Sequence, residues 1–204
     1  MALFYLKEIS PTTKLAIWKI EEPESFFLSS VPISSDITHP KKRLQHLAGR
    51  YLLQYLYPDF PIHSIQIANT RKPFLEDEQY HFSISHSGDY AAAIVSSTER
   101  IGIDIEFQRH TVANIAHKFL HQEELNAISL NDLASLTVLW CAKEAIFKWW
   151  GLGDVDFSEM IRINRFSLLD EGILDGKLLK HNSIYPFKPT YKIFENLCLV
   201  WVIG

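Results

Sequence analysis

Two short segments of the chain carry acidic and basic side chains at spacings that suit phosphoryl chemistry. The first covers residues 101–107 and alternates like a β-strand, which places Asp104 and Glu106 two positions apart. On a strand both carboxylates point to one face, where a divalent cation would offset their repulsion. The alternative interpretation, at least equally consistent with this segment alone, is the solvated polar face of an amphipathic strand.

The second segment covers residues 140–150 and has the pattern of a helix that ends at a Gly-Leu-Gly turn. Glu144 and Lys148 stand four positions apart and share one helix face, whereas Lys143 lies about 100° away around the helix. An ordinary surface ion pair is the simpler interpretation, worth about 0.3–0.5 kcal/mol. The surrounding aromatic residues and the glycine turn favour a ligand site instead. If the two segments meet in space, three acids and two lysines form a metal-assisted phosphoryl-transfer site.

Other positions offer groups that bind anions. The segment 85–88, Ser-His-Ser-Gly, predicts a tight polar turn with backbone N–H groups and the His86 side chain available to an anion, or else a plain hairpin turn. Arg43 and Arg50 fall near one face of a predicted helix, where a phosphate contact and simple solvation are about equally consistent. Residues 71–73, Arg-Lys-Pro, form another short basic turn with the same two interpretations.

Composition narrows the class of protein. The chain has 204 residues with 47% hydrophobic and 22% charged residues, which indicates a globular protein with a substantial core. Its net charge of −4 argues against general nucleic-acid binding. Two widely separated cysteines argue against a disulfide framework, and no apolar run reaches the roughly 20 residues that span a bilayer. The N-terminus lacks the features of a signal peptide. We therefore expect a soluble, cytoplasmic protein that does not bind membranes.

Strands and helices are mixed without regular alternation, which predicts an α+β fold. We expect a strand at 14–20, a helix from an N-cap at Thr38 to about residue 57, and a short helix at 111–120. A long helix is expected at 133–150, capped by Gly151. Strands are expected at 80–86, 90–95, 101–107 and 196–203, with turns at Glu171-Gly172 and Asp175-Gly176.

Taken in order, these segments resemble the 4′-phosphopantetheinyl transferases of the longer, surfactin-synthetase-activating type. The resemblance covers roughly residues 43–157, and its last two motifs are the most specific. The matching pieces are the helix through Arg50, Lys72-Pro73, Phe82-x-x-Ser85-His86-Ser87-Gly88, Gly102-Ile103-Asp104-Ile105-Glu106 and Trp140-x-x-Lys143-Glu144-Ala145 with Lys148 and Gly151-x-Gly153. The family often has glycine where this chain has Arg71, and asparagine where it has Ser83.

The resemblance implies a Mg²⁺-dependent enzyme that moves the phosphopantetheine arm of coenzyme A to a serine of a carrier protein and releases adenosine 3′,5′-bisphosphate. By position, Asp104, Glu106 and Glu144 would hold the metal. Glu144 would also accept the serine proton, directly or through water, and Lys148 would bind the pyrophosphate and stabilise or protonate the leaving group. The residues expected to contact coenzyme A are Arg43, Arg50, Arg71, Lys72, Pro73, Ser85, His86 and Lys148.

The resemblance also implies two similar α+β subdomains related by a pseudo-twofold axis, in a chain that acts as a monomer. We place them at residues 1–98, which would contribute to coenzyme A binding, and 99–204, which would carry the metal and catalytic residues. A non-catalytic module that binds coenzyme A or a carrier protein is the alternative, and a metal-dependent nuclease or other phosphotransferase is a third. The stretch with Arg109, His110, His117, Lys118 and His121 is either a basic surface that faces an acidic carrier protein or simply a solvated helix rich in histidine, and both interpretations are equally consistent with the sequence.

Overall fold

The computed structural model describes residues 3–32 and 37–204. Helices and strands are mixed throughout, and the predicted α+β class is confirmed. The chain divides into two compact units, Met1–Ile101 and Gly102–Gly204. Within the described ranges, no helix is long and apolar enough to cross a membrane.

The N-terminal unit contains one four-stranded antiparallel sheet and one long helix. In chain order its elements are β1 (Leu3–Ser10), β2 (Thr13–Lys19), α1 (Glu24–Leu28), α2 (Pro40–Leu56), a 3-10 turn (Ile62–Ser64), β3 (Gln66–Ile67), β4 (Pro73–Phe74), β5 (His81–Ser87) and β6 (Tyr90–Ser96). The sheet order is β1-β2-β6-β5, with β3 and β4 as a separate small hairpin. The helix α2 packs on the sheet through buried leucines such as Leu47, Leu52 and Leu53.

The C-terminal unit contains two sheets and the longest helix of the described chain. Its elements are β7 (Ile101–Phe107), α3 (His110–Asn114), α4 (Ala116–Phe119), α5 (Gln122–Ala127), α6 (Leu133–Trp150), α7 (Phe157–Met160), β8 (Ile161–Ile163), β9 (Glu171–Ile173), β10 (Gly176–Lys180), β11 (Ser183–Phe187), β12 (Thr190–Phe194) and β13 (Leu197–Ile203). The sheets have the orders β7-β13-β12-β9 and β11-β10-β8.

The helix α6 has the predicted bounds, and both of its ends are capped. The Asp132 side chain accepts from the backbone N–H of Ser135 at 3.1 Å, and Gly151 closes the helix with a left-handed φ of 71°. That conformation favours glycine, which has no Cβ to clash. Most of α6 is buried against β13 and its neighbours. Only one stripe in the second half stays half-buried, formed by Trp140, Glu144, Phe147 and Lys148.

Several local predictions were wrong. The N-cap of α2 is His39, not Thr38, and Pro40 occupies the first helical position. The helix expected at 111–120 is two short helices separated at Ile115. Gly172 lies inside β9 instead of a turn, because its missing side chain leaves space for the Tyr191 ring of β12, 2.9 Å from where a Cβ would stand.

Candidate functional site in the C-terminal unit, and the basic groups of the N-terminal unit

The strand β7 and the helix α6 lie against each other with almost no space between their backbones. A Cβ on Gly102 would stand 2.0 Å from the carbonyl oxygen of Ala145 and 2.8 Å from the backbone nitrogen of Trp149. Gly102, Asp104 and Glu106 alternate along the strand and therefore share this face. The glycine thus lets the helix approach closely, which brings the two carboxylates of β7 towards Glu144.

Lys148 ties the helix to the strand. Its ammonium donates to Asp104 Oδ1 at 2.7 Å and to the carbonyl of Ile103 at 3.1 Å. The Asp104 side chain is 5% exposed and that of Lys148 is 25% exposed, so this ion pair is largely screened from solvent. The solvated polar strand face considered above is therefore not what the structure shows at Asp104.

Glu144 lies within electrostatic reach of the same groups. Its pKa is raised to about 7, first by burial and then by the negative charge of Asp104; Glu106 adds to the rise and Lys148 opposes it. Two neighbouring carboxylates thus disfavour the charged form of the third. The structure therefore brings Asp104, Glu106, Glu144 and Lys148 into one interacting group.

The carboxylates of this group are of the kind that binds a divalent metal. Among residues 3–32 and 37–204, no three His, Cys, Asp or Glu side chains are arranged to hold an ion as they stand. The donor set nevertheless fits a hard cation such as Mg²⁺, because it consists of carboxylates: burial raises the pKa of Glu144, and the negative charges of Asp104 and Glu106 raise it further. Carboxylates in that electrostatic situation are stabilised by a nearby positive charge.

Lys143, next to Glu144 in sequence, has a different place. Its side chain is 0% exposed and its ammonium lies 2.6 Å from Glu124 Oε2. Burial lowers the pKa of Lys143, and Glu124 opposes that effect. Lys143 therefore belongs to the interior of the unit.

Cys141 is also buried. Burial, followed by the charge of Asp104, raises its pKa well above the ordinary value. A thiol that stays protonated is a poor nucleophile, so Cys141 is not a candidate for the chemistry of the site.

The predicted anion-binding residues of the N-terminal unit fall into separate places. The guanidinium of Arg43 is engaged by Glu24, at 3.2 Å from Nε to Oε2, and by the carbonyl of Ile37 at 3.0 Å. Arg50 donates to Nδ1 of His46 at 2.9 Å, one turn away on α2. The pKa of His46 is lowered to about 4 by burial, then by Arg50 and by His86 of β5, so the imidazole is neutral at pH 7. Arg50, His46 and His86 therefore lie within electrostatic reach of one another.

The strand β5 and the β3–β4 hairpin hold the remaining residues. Ser85 is buried and His86 is exposed, so the two predicted contacts point to opposite faces of β5. Arg71 has a left-handed φ of 65°, a conformation that favours glycine, the residue common in the resembled family. Lys72 lies beside Pro73, and its pKa is lowered to about 8 by burial and then by Arg100.

Three residues that matter in the structure were not identified from the sequence. Gly102 was included in a motif, but its structural role was not predicted. The available signal was a glycine inside a strand, which often marks a close approach of another backbone. Glu124, the partner of Lys143, stands 19 positions away and carries no local signal for that contact. Arg100, whose charge acts on Lys72, stands 28 positions away from it and carries no local signal for that interaction.

Comparison with known proteins points to one family. Residues 100–188 match the family model of the 4′-phosphopantetheinyl transferase superfamily. A Haemophilus influenzae protein whose name assigns it to the 4′-phosphopantetheinyl transferases is 31% identical over 173 residues, which cover 73% of this chain and 72% of that protein.

Two Escherichia coli K12 proteins match over shorter regions. Enterobactin synthase component D is 34% identical over 114 residues, 53% of this chain and 54% of that protein. The 4′-phosphopantetheinyl transferase AcpT is 32% identical over 117 residues, 54% of this chain and 59% of its own length. The region matched by the family model includes β7 and α6, which carry Asp104, Glu106, Glu144 and Lys148. By these matches, the chain belongs to the 4′-phosphopantetheinyl transferase superfamily.

Proposed function

We propose that this chain transfers the 4′-phosphopantetheine arm of coenzyme A to a serine hydroxyl of an apo carrier protein and releases adenosine 3′,5′-bisphosphate. The observation that carries the proposal is the convergence of Asp104, Glu106 and Glu144 with Lys148, on a strand and a helix held backbone to backbone. The names of its relatives support the same reaction. The serine oxygen forms a bond to the phosphorus of the arm, and the bond from that phosphorus to the bridging oxygen breaks.

Each of these four side chains has a proposed task. Asp104, Glu106 and Glu144 would hold Mg²⁺, which when bound neutralises charge on the pyrophosphate. Glu144 accepts the proton of the serine hydroxyl, directly or through water. Lys148 binds the pyrophosphate and stabilises or protonates the leaving oxygen, a task suited to an ammonium held at a fixed place by Asp104.

The N-terminal unit would supply contacts to coenzyme A. Arg50, with its neighbour His46 neutral at pH 7, and His86 are proposed to bind phosphate. Arg71, Lys72 and Pro73 are proposed to lie near the 3′-phosphate or the adenine. The other proposed contacts are those of Ser85 and of Arg43, whose guanidinium must first leave Glu24 or share it.

We further propose the finer architecture expected of the family: two similar subdomains, at residues 1–98 and 99–204, in a chain that acts as a cytoplasmic monomer. Its support is that each unit has a four-stranded sheet covered by one long helix, α2 in one and α6 in the other. The partner would be an acyl or peptidyl carrier protein. Of the basic residues proposed to meet it, Arg109, His110, His117 and Lys118 are exposed, and His121 caps α5.

The test is to incubate the protein with coenzyme A, Mg²⁺ and a panel of apo carrier proteins, and to follow the carriers by mass spectrometry. We expect a mass gain equal to the phosphopantetheine arm, together with release of adenosine 3′,5′-bisphosphate. A metal chelator and a carrier with its acceptor serine replaced by alanine are the controls.

The outcome that contradicts the proposal is an unmodified panel, provided that an established transferase modifies the same carriers. Two further assays then separate the alternatives. Mg²⁺-dependent binding of coenzyme A without turnover, measured by calorimetry, would indicate a non-catalytic module, and cleavage of nucleic acid unaffected by coenzyme A would indicate a nuclease.

A further inference from the structure

The side chain of Lys143 joins four elements to the helix α6. Its ammonium donates to Glu124 Oε2 at 2.6 Å and to the carbonyl oxygens of Phe119 at 2.7 Å, Ile161 at 2.8 Å and Phe157 at 3.0 Å. These acceptors belong to α4, α5, α7 and β8. An ammonium has three protons, so with four acceptors around it every N–H has a hydrogen-bond partner inside the protein. The helix is therefore held from its buried side at one point.

Glu124 is equally well anchored. Its Oε2 also accepts from the backbone N–H of His121 at 2.8 Å, and its Oε1 accepts from the backbone N–H of Ile163 at 2.7 Å. Because both oxygens are bound to backbone groups, the carboxylate has a fixed position. The place of the Lys143 ammonium is fixed in turn.

A second contact holds α6 from another direction. The carbonyl of Ala145 and the backbone nitrogen of Trp149 lie against Gly102 of β7, and these positions are about 200–240° around the helix from Lys143. Glu144 lies about 100° from Lys143, between the two contacts. A helix held at two nearly opposite sides cannot rotate about its axis, so the direction of Glu144 is set by both contacts together.

We propose that Lys143 is a positioning residue for phosphopantetheine transfer. Through Glu124 and the three carbonyls, it sets the rotation of α6 and so the placement of Glu144 and Lys148 beside Asp104. This inference rests on the proposed function. It predicts an effect on turnover that stability alone does not explain.

The test uses a double variant, Lys143→Met with Glu124→Gln, which removes both buried charges at once. The single Lys143→Met variant would leave the Glu124 carboxylate buried beside an apolar side chain and would unfold easily. For the double variant we expect a cooperative thermal transition, a kcat lower by about 10²-fold and a KM for coenzyme A within about twofold of the wild type. Hydrogen exchange should be faster in residues 143–148 than in the wild type.

The matched control is Lys192→Met with Glu171→Gln, which makes the same double change at a more exposed ion pair. It should keep the wild-type kcat. A folded double variant with wild-type kcat would overturn the positioning role and leave the proposed function standing. An inactive wild-type protein would instead contradict the proposed function.

If the double variant does not fold, Glu124→Asp serves in its place. This change keeps both charges but shortens the carboxylate arm by one methylene, which must displace the Lys143 ammonium. A reduced kcat with an unchanged KM supports the proposal, and a wild-type kcat overturns it.

Discussion

The two units handle charged side chains in opposite ways. In the C-terminal unit, lysines and carboxylates are paired inside the protein, as in the pairs Lys143–Glu124 and Lys148–Asp104. In the N-terminal unit, the basic side chains of the proposed coenzyme A contacts are half-buried or exposed, and Arg50 lies against a neutral imidazole instead of an acid. One unit therefore uses charge as part of its core, and the other presents it near the surface.

This difference separates what a substitution should do in each unit. A buried ion pair that loses one partner leaves an uncompensated charge, so breaking such a pair in the C-terminal unit acts on stability and chemistry together. A half-exposed arginine or lysine contributes little to folding, so replacing one in the N-terminal unit should act on ligand binding alone. The four predictions below test this distinction.

The largest effect is expected for Glu144→Gln. The change removes the proposed proton acceptor and one metal ligand, so the initial rate of transfer, followed by carrier mass, should fall by about 10²–10⁴-fold. The fold should persist, because a glutamine relieves the repulsion from Asp104 and Glu106. The control is Glu159→Gln at an exposed acid of α7, which should keep the full rate. Retained transfer in the Glu144 variant would remove this residue from the chemistry.

The next effect is expected for Gly102→Ala. A methyl group there meets the backbone of Ala145 and Trp149, which cannot move as a side-chain end can. We expect a loss of about 1–3 kcal/mol in the free energy of unfolding, measured by urea denaturation, together with reduced transfer. Unchanged stability would show that α6 can shift away from β7 at little cost, and it would weaken the distinction between the units.

In the N-terminal unit, Arg50→Ala should raise the KM for coenzyme A by about tenfold and leave kcat unchanged. The reason is the loss of a charge-assisted contact to phosphate, worth about 1.5 kcal/mol. Lys42→Ala, at an exposed lysine of the same helix, is the control and should leave both constants unchanged. A fall in kcat with KM constant would contradict the assignment of Arg50 to substrate binding.

The smallest effect concerns His46, whose pKa in the folded state is about 4, below the value near 6.5 of an unperturbed histidine. The contribution of the neutral His46 imidazole to the free energy of unfolding is therefore complete above about pH 6.5, and it is lost as the pH falls towards 4. Between pH 7 and pH 5 the wild type should lose about 1 kcal/mol more stability than His46→Gln, the value being discounted for a half-exposed group.

This is measured by urea denaturation at both pH values. His110→Gln, at an exposed histidine of α3, should behave like the wild type. Equal pH dependence in the wild type and the His46 variant would contradict the burial of a neutral imidazole.

The sequence predicted those parts of the fold that depend on local pattern. The bounds of α6 follow from its apolar periodicity and from Gly151, and the strand β7 follows from alternation. The N-cap at Thr38 was wrong because Pro40 fixes the first helical position and His39 precedes it, without a side-chain cap. The turn expected at Gly172 was wrong because a contact with a neighbouring strand, invisible to local pattern, requires the glycine.

The residues of the candidate site could be predicted from the sequence, but the burial of their side chains could not. Motif order identified Asp104, Glu106, Glu144 and Lys148, yet alternation alone could not decide between a ligand site and a solvated face for Asp104, whose side chain is nearly buried. Lys143 had no assigned role because its acceptors come from segments 14 to 24 positions away. Such contacts depend on tertiary packing, which single-sequence periodicity does not report.

The buried ammonium of Lys143 also bears on how the C-terminal unit opens. Its carbonyl partners at Phe119 and Phe157 come before and after α6 in the chain. If either flanking segment detached, the buried ammonium would lose one of its hydrogen-bond acceptors. These segments should therefore unfold together with the helix as a single cooperative unit, and their amide protons should exchange with solvent at similar, slow rates.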